Sequence, residues 1–284
     1  MQSQNFEPIL CPVDFSELSA YALRYAAMLS RCGNRKVIAA YANWFEAPPY
    51  FTESRVAELQ SEFRESLGQA ERMLADFVKS TLGDAAPAVE TRVVEALPAD
   101  GIRQLAASTQ AGLIVMGTHG RTGLNRWMLG SVTERILRES PAPVLTVRSA
   151  PKRPIRRILC PVSDTEPSRA ALAMAAAFGV CFDASVTALH VHEEHGGGGI
   201  PDLCQWIPAE ERSRCNLREL VRHGNAAEEI IKLASEEEYD LLVLGAARRR
   251  FFEGMVLGTT TLRAVRHAAC PVLSVGGAGY SENG

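Results

Sequence analysis

Two stretches of the chain carry residue types suited to phosphate and sugar chemistry. The first runs from Leu113 to Ser131 and reads LIVMGTHGRTGLNRWMLGS. Its apolar run, Leu113 to Met116, stops at Gly117. Gly120 follows, then Gly123, and a helical pattern begins at Gly130-Ser131. A buried strand, a glycine-punctuated loop and a helix start form a place where backbone N–H groups can surround phosphates. The helix end adds partial positive charge. His119, Arg121 and Arg126 add donor or cationic capacity. A tight turn needs one or two glycines, and this stretch has four. No lysine precedes Ser131, which argues against a Walker A loop, and no G-x-G-x-x-G follows the first strand, which argues against a dinucleotide site. The second stretch is Asp14, just past the apolar run Ile9 to Val13. An Asp there can simply form a turn. A carboxylate facing a ligand crevice can instead accept ribose hydroxyls or the adenine amino group, and the position past a strand end favours this reading.

The elements that must position these residues repeat. Ile9-Leu10-Cys11-Pro12-Val13 recurs as Ile158-Leu159-Cys160-Pro161-Val162, an offset of 149. Pro143-Val144-Leu145-Thr146-Val147 recurs as Pro271-Val272-Leu273-Ser274-Val275, an offset of 128. The chain therefore holds two copies, the second shorter by 149 − 128 = 21 residues. The expected domains are residues 1–150 and 151–284, joined near Ala150-Pro151-Lys152-Arg153-Pro154. In copy one, strands at 9–13, 37–42, 89–94, 113–116 and 144–147 alternate with helices starting at Ser16, Ser54, Pro98 and Ser131. That alternation predicts an α/β fold, a parallel sheet covered by helices on both faces. Ligands then bind beyond the carboxyl ends of the strands, where Asp14 and Gly117 both fall. Copy two should keep its strands at 158–162, 186–191, 217–221, 241–244 and 272–275, while residues 192–215, with the run Gly196 to Gly199, replace the long helix.

Pro12-x-Asp14-x-Ser16 and Gly117-x2-Gly120-x9-Gly130-Ser131 resemble the ATP-binding branch of the universal stress proteins. The resemblance covers nearly the whole chain, once per copy. It implies two tandem doubly wound, five-stranded Rossmann-like domains with strand order 3-2-1-4-5. It implies that Asp14 and the backbone around Pro12 and Ala42 hold the nucleoside. Met116, Gly117, Gly120, Gly130, Ser131 and Val132 would cradle the triphosphate of ATP, accompanied by magnesium. It also implies pairing through the fifth strands, here as an internal pseudo-dimer, with a homodimer through other faces left open. Copy two departs from the pattern. Ser163 stands in place of Asp14, with Asp164 one residue late, and Arg248 stands in place of Gly120. Gly245 and Gly258-Thr259 survive. Copy two is expected to bind ATP weakly or not at all.

Four of the six histidines lie between His190 and His223. His190 matches Tyr41 and reads as a core position. His192, His195, Cys204 and Cys215 form a candidate zinc set, in a spacing that matches no tight finger pattern. The seven cysteines are scattered and read as thiols rather than a disulfide frame. A net charge of −3 gives no field to recruit nucleic acid. No apolar run reaches the roughly 20 residues of a membrane span, and MQSQNFEPIL lacks a signal-peptide shape. A cytoplasmic protein is expected. The functional readings are an ATP-dependent stress-response regulator, a slow ATPase with His119 as the residue to test, or a ligand- or zinc-sensing module centred on copy two. Adenylate transfer is a distant fourth.

Overall fold

The computed structural model describes residues 7–44, 53–83, 88–120, 129–192, 206–246, 248–251 and 254–276, with the backbone alone at 53–64 and 248–256. Copy one runs β1 (Ile9–Pro12), α1 (Glu17–Ser30), β2 (Val37–Ala42), α2 (Glu53–Leu82), β3 (Val89–Val94), α3 (Pro98–Ser108), β4 (Leu113–Gly117), α4 (Ser131–Glu139) and β5 (Val144–Val147). Copy two runs β6 (Arg157–Pro161), α5 (Glu166–Phe182), β7 (Ser185–His192), α6 (Ala209–Arg214), β8 (Arg218–His223), α7 (Ala226–Glu236), β9 (Leu241–Gly245), β10 (Arg248–Phe251), β11 (Gly254–Leu257), α8 (Thr259–His267) and β12 (Val272–Val275).

Ten strands form one sheet in the order β3-β2-β1-β4-β5-β12-β9-β6-β7-β8. Each half has the order 3-2-1-4-5, and all pairs within a half are parallel. The halves meet at β5 and β12, which pair antiparallel with Leu145 opposite Leu273. Those two leucines are equivalent in the 128-residue repeat, so a pseudo-twofold axis passes between them.

The apolar runs explain the layers. Ile9, Leu10 and Cys11 are all fully buried, as expected for a strand covered on both faces. One core joins α1, α2 and α5 to one face of the sheet, and a second joins α3, α4, α7 and α8 to the other. Each core runs unbroken through both copies. The sheet edges are charged. β8 is mostly exposed and carries Arg218, Glu219 and Arg222, and β3 carries Glu90 and Arg92. Charge on an edge strand discourages further strand addition.

Copy two differs from expectation in three places. Its third strand runs two residues further than the pattern suggests, because His223 continues the ladder opposite His192. A short helix, α6, occupies part of the segment that replaces the long helix, while 193–205 lie outside the described residues. The stretch matching the glycine loop folds as an antiparallel hairpin, β10–β11, and β11 lies against α4 of copy one.

One expectation is overturned. Cys32 and Cys181 form a disulfide with Cα atoms 5.8 Å apart. Their separation of 149 residues equals the repeat offset. The two positions are therefore equivalents at the ends of α1 and α5 that the pseudo-twofold axis brings together. Sequence distance hides this closeness. Cys11, Cys160, Cys215 and Cys270 are buried thiols. Burial pushes Cys11 and Cys160 far above the usual thiol range and Cys270 up to about 12, so these three are poor nucleophiles.

A bridge closing so long a loop should stabilise the fold by about 2–5 kcal/mol. Reduction, or the double change Cys32→Ser with Cys181→Ser, is expected to lower the calorimetric melting temperature by several degrees. The elution volume should not change, because the β5–β12 ladder remains. An unaltered melting temperature would show that the bridge contributes nothing to stability.

Candidate functional site

A cavity of about 390 Å³ opens beyond the carboxyl ends of β1, β2 and β4. All nine residues singled out from the sequence line it: Pro12, Asp14, Ala42, Met116, Gly117, Gly120, Gly130, Ser131 and Val132. Its volume lies in the ordinary range for small-molecule sites.

Local structure aims each part. Phe15 adopts a left-handed backbone, φ 63°. That conformation costs a non-glycine residue roughly 1–2 kcal/mol. Packing holds it: the Phe15 ring lies 4.8 Å from Tyr41 and 5.5 Å from Phe77, between centroids. The turn carries Asp14 into the cavity. Asp14 Oδ1 accepts from the Ser16 backbone N–H at 3.0 Å and from Ser16 Oγ at 2.5 Å. Ser16 in turn caps α1 by accepting from the Ser19 N–H at 3.2 Å. The carboxylate is thus fixed at the head of a capped helix.

The opposite wall is the start of α4. The Gly130 N–H donates to the Thr118 carbonyl at 2.8 Å, and Thr133 Oγ1 donates to the Gly117 carbonyl at 2.9 Å. These bonds draw the helix start under the end of β4. Gly130 is the N-cap and has no side chain to bond the first turn. The first N–H groups of a helix lack intrahelical acceptors, so they offer donors and positive potential to an anion. His119 also lines the cavity, with Nδ1 3.2 Å from Thr118 Oγ1. Partial burial, then the Arg148 charge, lower its pKa against the opposing pull of Asp14.

The glycines divide by role. A Cβ on Gly117 would lie 2.8 Å from Leu18 Cβ, so this glycine lets α1 pack on the end of β4. Gly245 does the same in copy two, where a Cβ would lie 2.6 Å from backbone atoms of Pro167 and Ser168. A Cβ on Gly120 would lie 2.5 Å from Asp14 Oδ2. Gly120 therefore makes room for the Asp14 carboxylate. Copy two has Arg248 and Ser163 at these two positions, so the glycine and the carboxylate are lost together. Gly123 lies outside the described residues.

Sequence reasoning missed the apolar end of the cavity, formed by Val13, Tyr41, Val94, Pro98 and Ile102. Val94 ends β3 and Pro98 opens α3, positions that the carboxyl-end rule for α/β sheets already marks.

Copy two does not rebuild the carboxylate. Asp164, one residue late, pairs at the surface with Arg169 at 2.7 Å, and Arg169 stacks over Trp206. Ser163 Oγ lies 3.1 Å from Ser168 Oγ. The zinc set does not assemble. His192 ends β7, whereas the Cys215 carbonyl accepts from the N–H of Val186 near its start. Six residues of strand put them about 20 Å apart. His195 and Cys204 lie outside the described residues. His192 instead stacks on His223 and meets the His190 ring edge-on, with ring centroids 5.7 Å apart in each pair. Among the described residues no cluster of His, Cys, Asp or Glu is arranged to hold a metal, and no helix is long and apolar enough to cross a membrane.

Two parallel half-sheets joined edge to edge, with a glycine-walled cavity beyond the strand ends of the first, define a Rossmann-like α/β protein. Residues 5–148 and 154–276 each match the universal stress protein family, and the chain belongs to it as a tandem of two such domains. A universal stress protein of Methanocaldococcus jannaschii is 31% identical over 153 residues, covering 52% of this chain and 85% of that protein. One from Mycolicibacterium smegmatis is 28% identical over 297 aligned positions, covering 97% and 99%. The crystal structure of one from Archaeoglobus fulgidus shares the fold, with a TM-score of 0.69 at 18% identity, covering 96% and 99%.

The two loop glycines should respond differently to substitution. Gly117→Val is expected to destabilise the protein by about 1–3 kcal/mol in urea unfolding, since α1 must shift. Gly120→Ala should cost less, up to about 1 kcal/mol, because the displaced group is the Asp14 side chain rather than a packed helix, and only its bonds to Ser16 must strain. Equal losses would contradict the division.

Proposed function

We propose that copy one binds ATP and that the protein is a nucleotide-dependent stress-response regulator. The observation carrying this reading is that Asp14 and the α4 start line one cavity, with Gly120 making room for the carboxylate. The apolar end at Tyr41, Val94 and Ile102 suits a planar base. Asp14 suits ribose hydroxyls, which donate to a carboxylate. Gly130, Ser131 and Val132 suit phosphate oxygens. Magnesium fits as a passenger on the phosphates, since it usually keeps its waters and binds through them. Copy two lacks the carboxylate and the matching glycine, and serves in this reading as a structural and regulatory partner.

Calorimetry on the whole chain tests the reading. Wild type should bind ATP, and Asp14→Ala should weaken binding about tenfold or more, the scale of losing hydrogen bonds to a charged group. Ser163→Ala should leave it unchanged. Absence of ATP binding by wild type would end the proposal.

One observation favours a second reading, slow ATP hydrolysis. His119 lines the cavity and its surroundings favour the neutral imidazole, the form that accepts a proton. On that reading, phosphate release by His119→Ala should fall at least about tenfold below wild type. Equal rates would remove His119 from any mechanism.

A further inference from the structure

Arg148 is the first residue past β5, and it is half-buried. The Thr118 N–H donates to the Val147 carbonyl at 3.1 Å, so Arg148 runs beside the Thr118-His119 segment of the cavity wall. Its guanidinium is anchored across the pseudo-twofold axis, on copy two. Nε and Nη2 donate to the Val265 carbonyl at 3.2 and 2.9 Å. Val265 lies in the last turn of α8, where carbonyls lack intrahelical donors and the helix end carries partial negative charge. A cation of copy one is therefore anchored on a helix of copy two.

The repeat supplies an internal comparison. Asp14, His119, Gly120 and Arg148 match Ser163, Ala247, Arg248 and Gly276 in copy two. The copy that has lost the carboxylate and the loop glycine has also lost this arginine. The residue that Arg148 anchors on is kept in kind, since Val265 matches Leu137. An arginine serving only to join the halves would have a use on both sides of the axis. It stands only beside the cavity with Asp14 and Gly120.

We propose that Arg148 is a positioning residue for the copy-one site. Held by the carboxyl end of α8, it sets the positive potential at the phosphate end of the cavity and selects polyphosphate nucleotides over uncharged nucleosides. Copy two thereby becomes part of the site it does not itself form. This role rests on the reading of the cavity as a nucleotide site. Its field reaches the cavity wall independently of any ligand: Arg148 lowers the pKa of His119, second to burial, while Asp14 raises it. Arg148 and Asp14 are the charged groups acting on His119 among the described residues.

The test measures ATP and adenosine affinity by calorimetry for wild type, Arg148→Met and Arg148→Lys. The ratio of the two affinities is the readout, because it does not depend on how much of a variant is folded. Arg148→Met should weaken ATP roughly five- to tenfold and adenosine less than about twofold, the scale of removing one charge near a polyphosphate. Arg148→Lys should retain most of the ratio. Equal weakening of both ligands, or of neither, would overturn the role. A ligand-free readout accompanies it. Histidine NMR titration should show the His119 pKa rising in Arg148→Met and not in Arg148→Lys, and an unmoved value would also overturn the role. Wild type that binds neither ligand would refute the nucleotide reading itself. Wild type that binds both, with an unchanged ratio in Arg148→Met, would refute only the part assigned to Arg148.

Discussion

Val144–Val147 and Val272–Val275 pair antiparallel, and most of the architecture follows from that ladder. Each copy alone would end its sheet at a short strand whose residues are all buried in the whole chain. An exposed apolar edge invites association. Pairing the two edges satisfies their backbone groups and merges two sheets into one of ten strands. It also fixes a pseudo-twofold axis at Leu145 and Leu273. The Cys32–Cys181 bridge, the shared cores on both faces and the reach of Arg148 to Val265 are all consequences of what lies near that axis.

Within this symmetric frame the two halves have diverged at the strand ends that form the cavity and in the segment that replaces the long helix α2. The strands, the packing glycines Gly117 and Gly245, and the helix-start glycines Gly130 and Gly258 are kept in both. These positions answer to packing, which both halves need. Gly120 answers to a different demand, the space taken by the Asp14 carboxylate. Once Asp14 becomes Ser163 that demand disappears, and Arg248 is tolerated. The matching stretch of copy two folds as the β10–β11 hairpin, and β11 lies against α4.

Legibility from sequence tracked how local the responsible physics is. Buried parallel strands announced themselves as continuous apolar runs, and the repeat offset placed them twice. The helix starts at Ser16 and Ser131 followed from capping chemistry and glycine position. The residues singled out for the site line one cavity because they sit at strand ends, in the loops just past them or at a helix start. Val94, Pro98 and Ile102 were not found, because an apolar wall has no distinctive residue type. The zinc set failed because nearness along the chain does not say which end of a strand a residue occupies. Cys215 sits at the start of the strand pair that His192 ends.

The sequence by itself determined the two α/β copies, the strand order that the resemblance implies and the contrast between an intact loop and an altered one. Periodicity, glycine placement and internal repetition are properties of neighbouring residues, so they can be read without coordinates. Only the tertiary structure decided which distant residues meet. The disulfide between positions 149 residues apart, the room that Gly120 leaves for Asp14 and the anchoring of Arg148 on the second copy all depend on folding across an axis. The resemblance implies that the fifth strands pair, but which residues meet across the axis follows only from the register in which those two edge strands join.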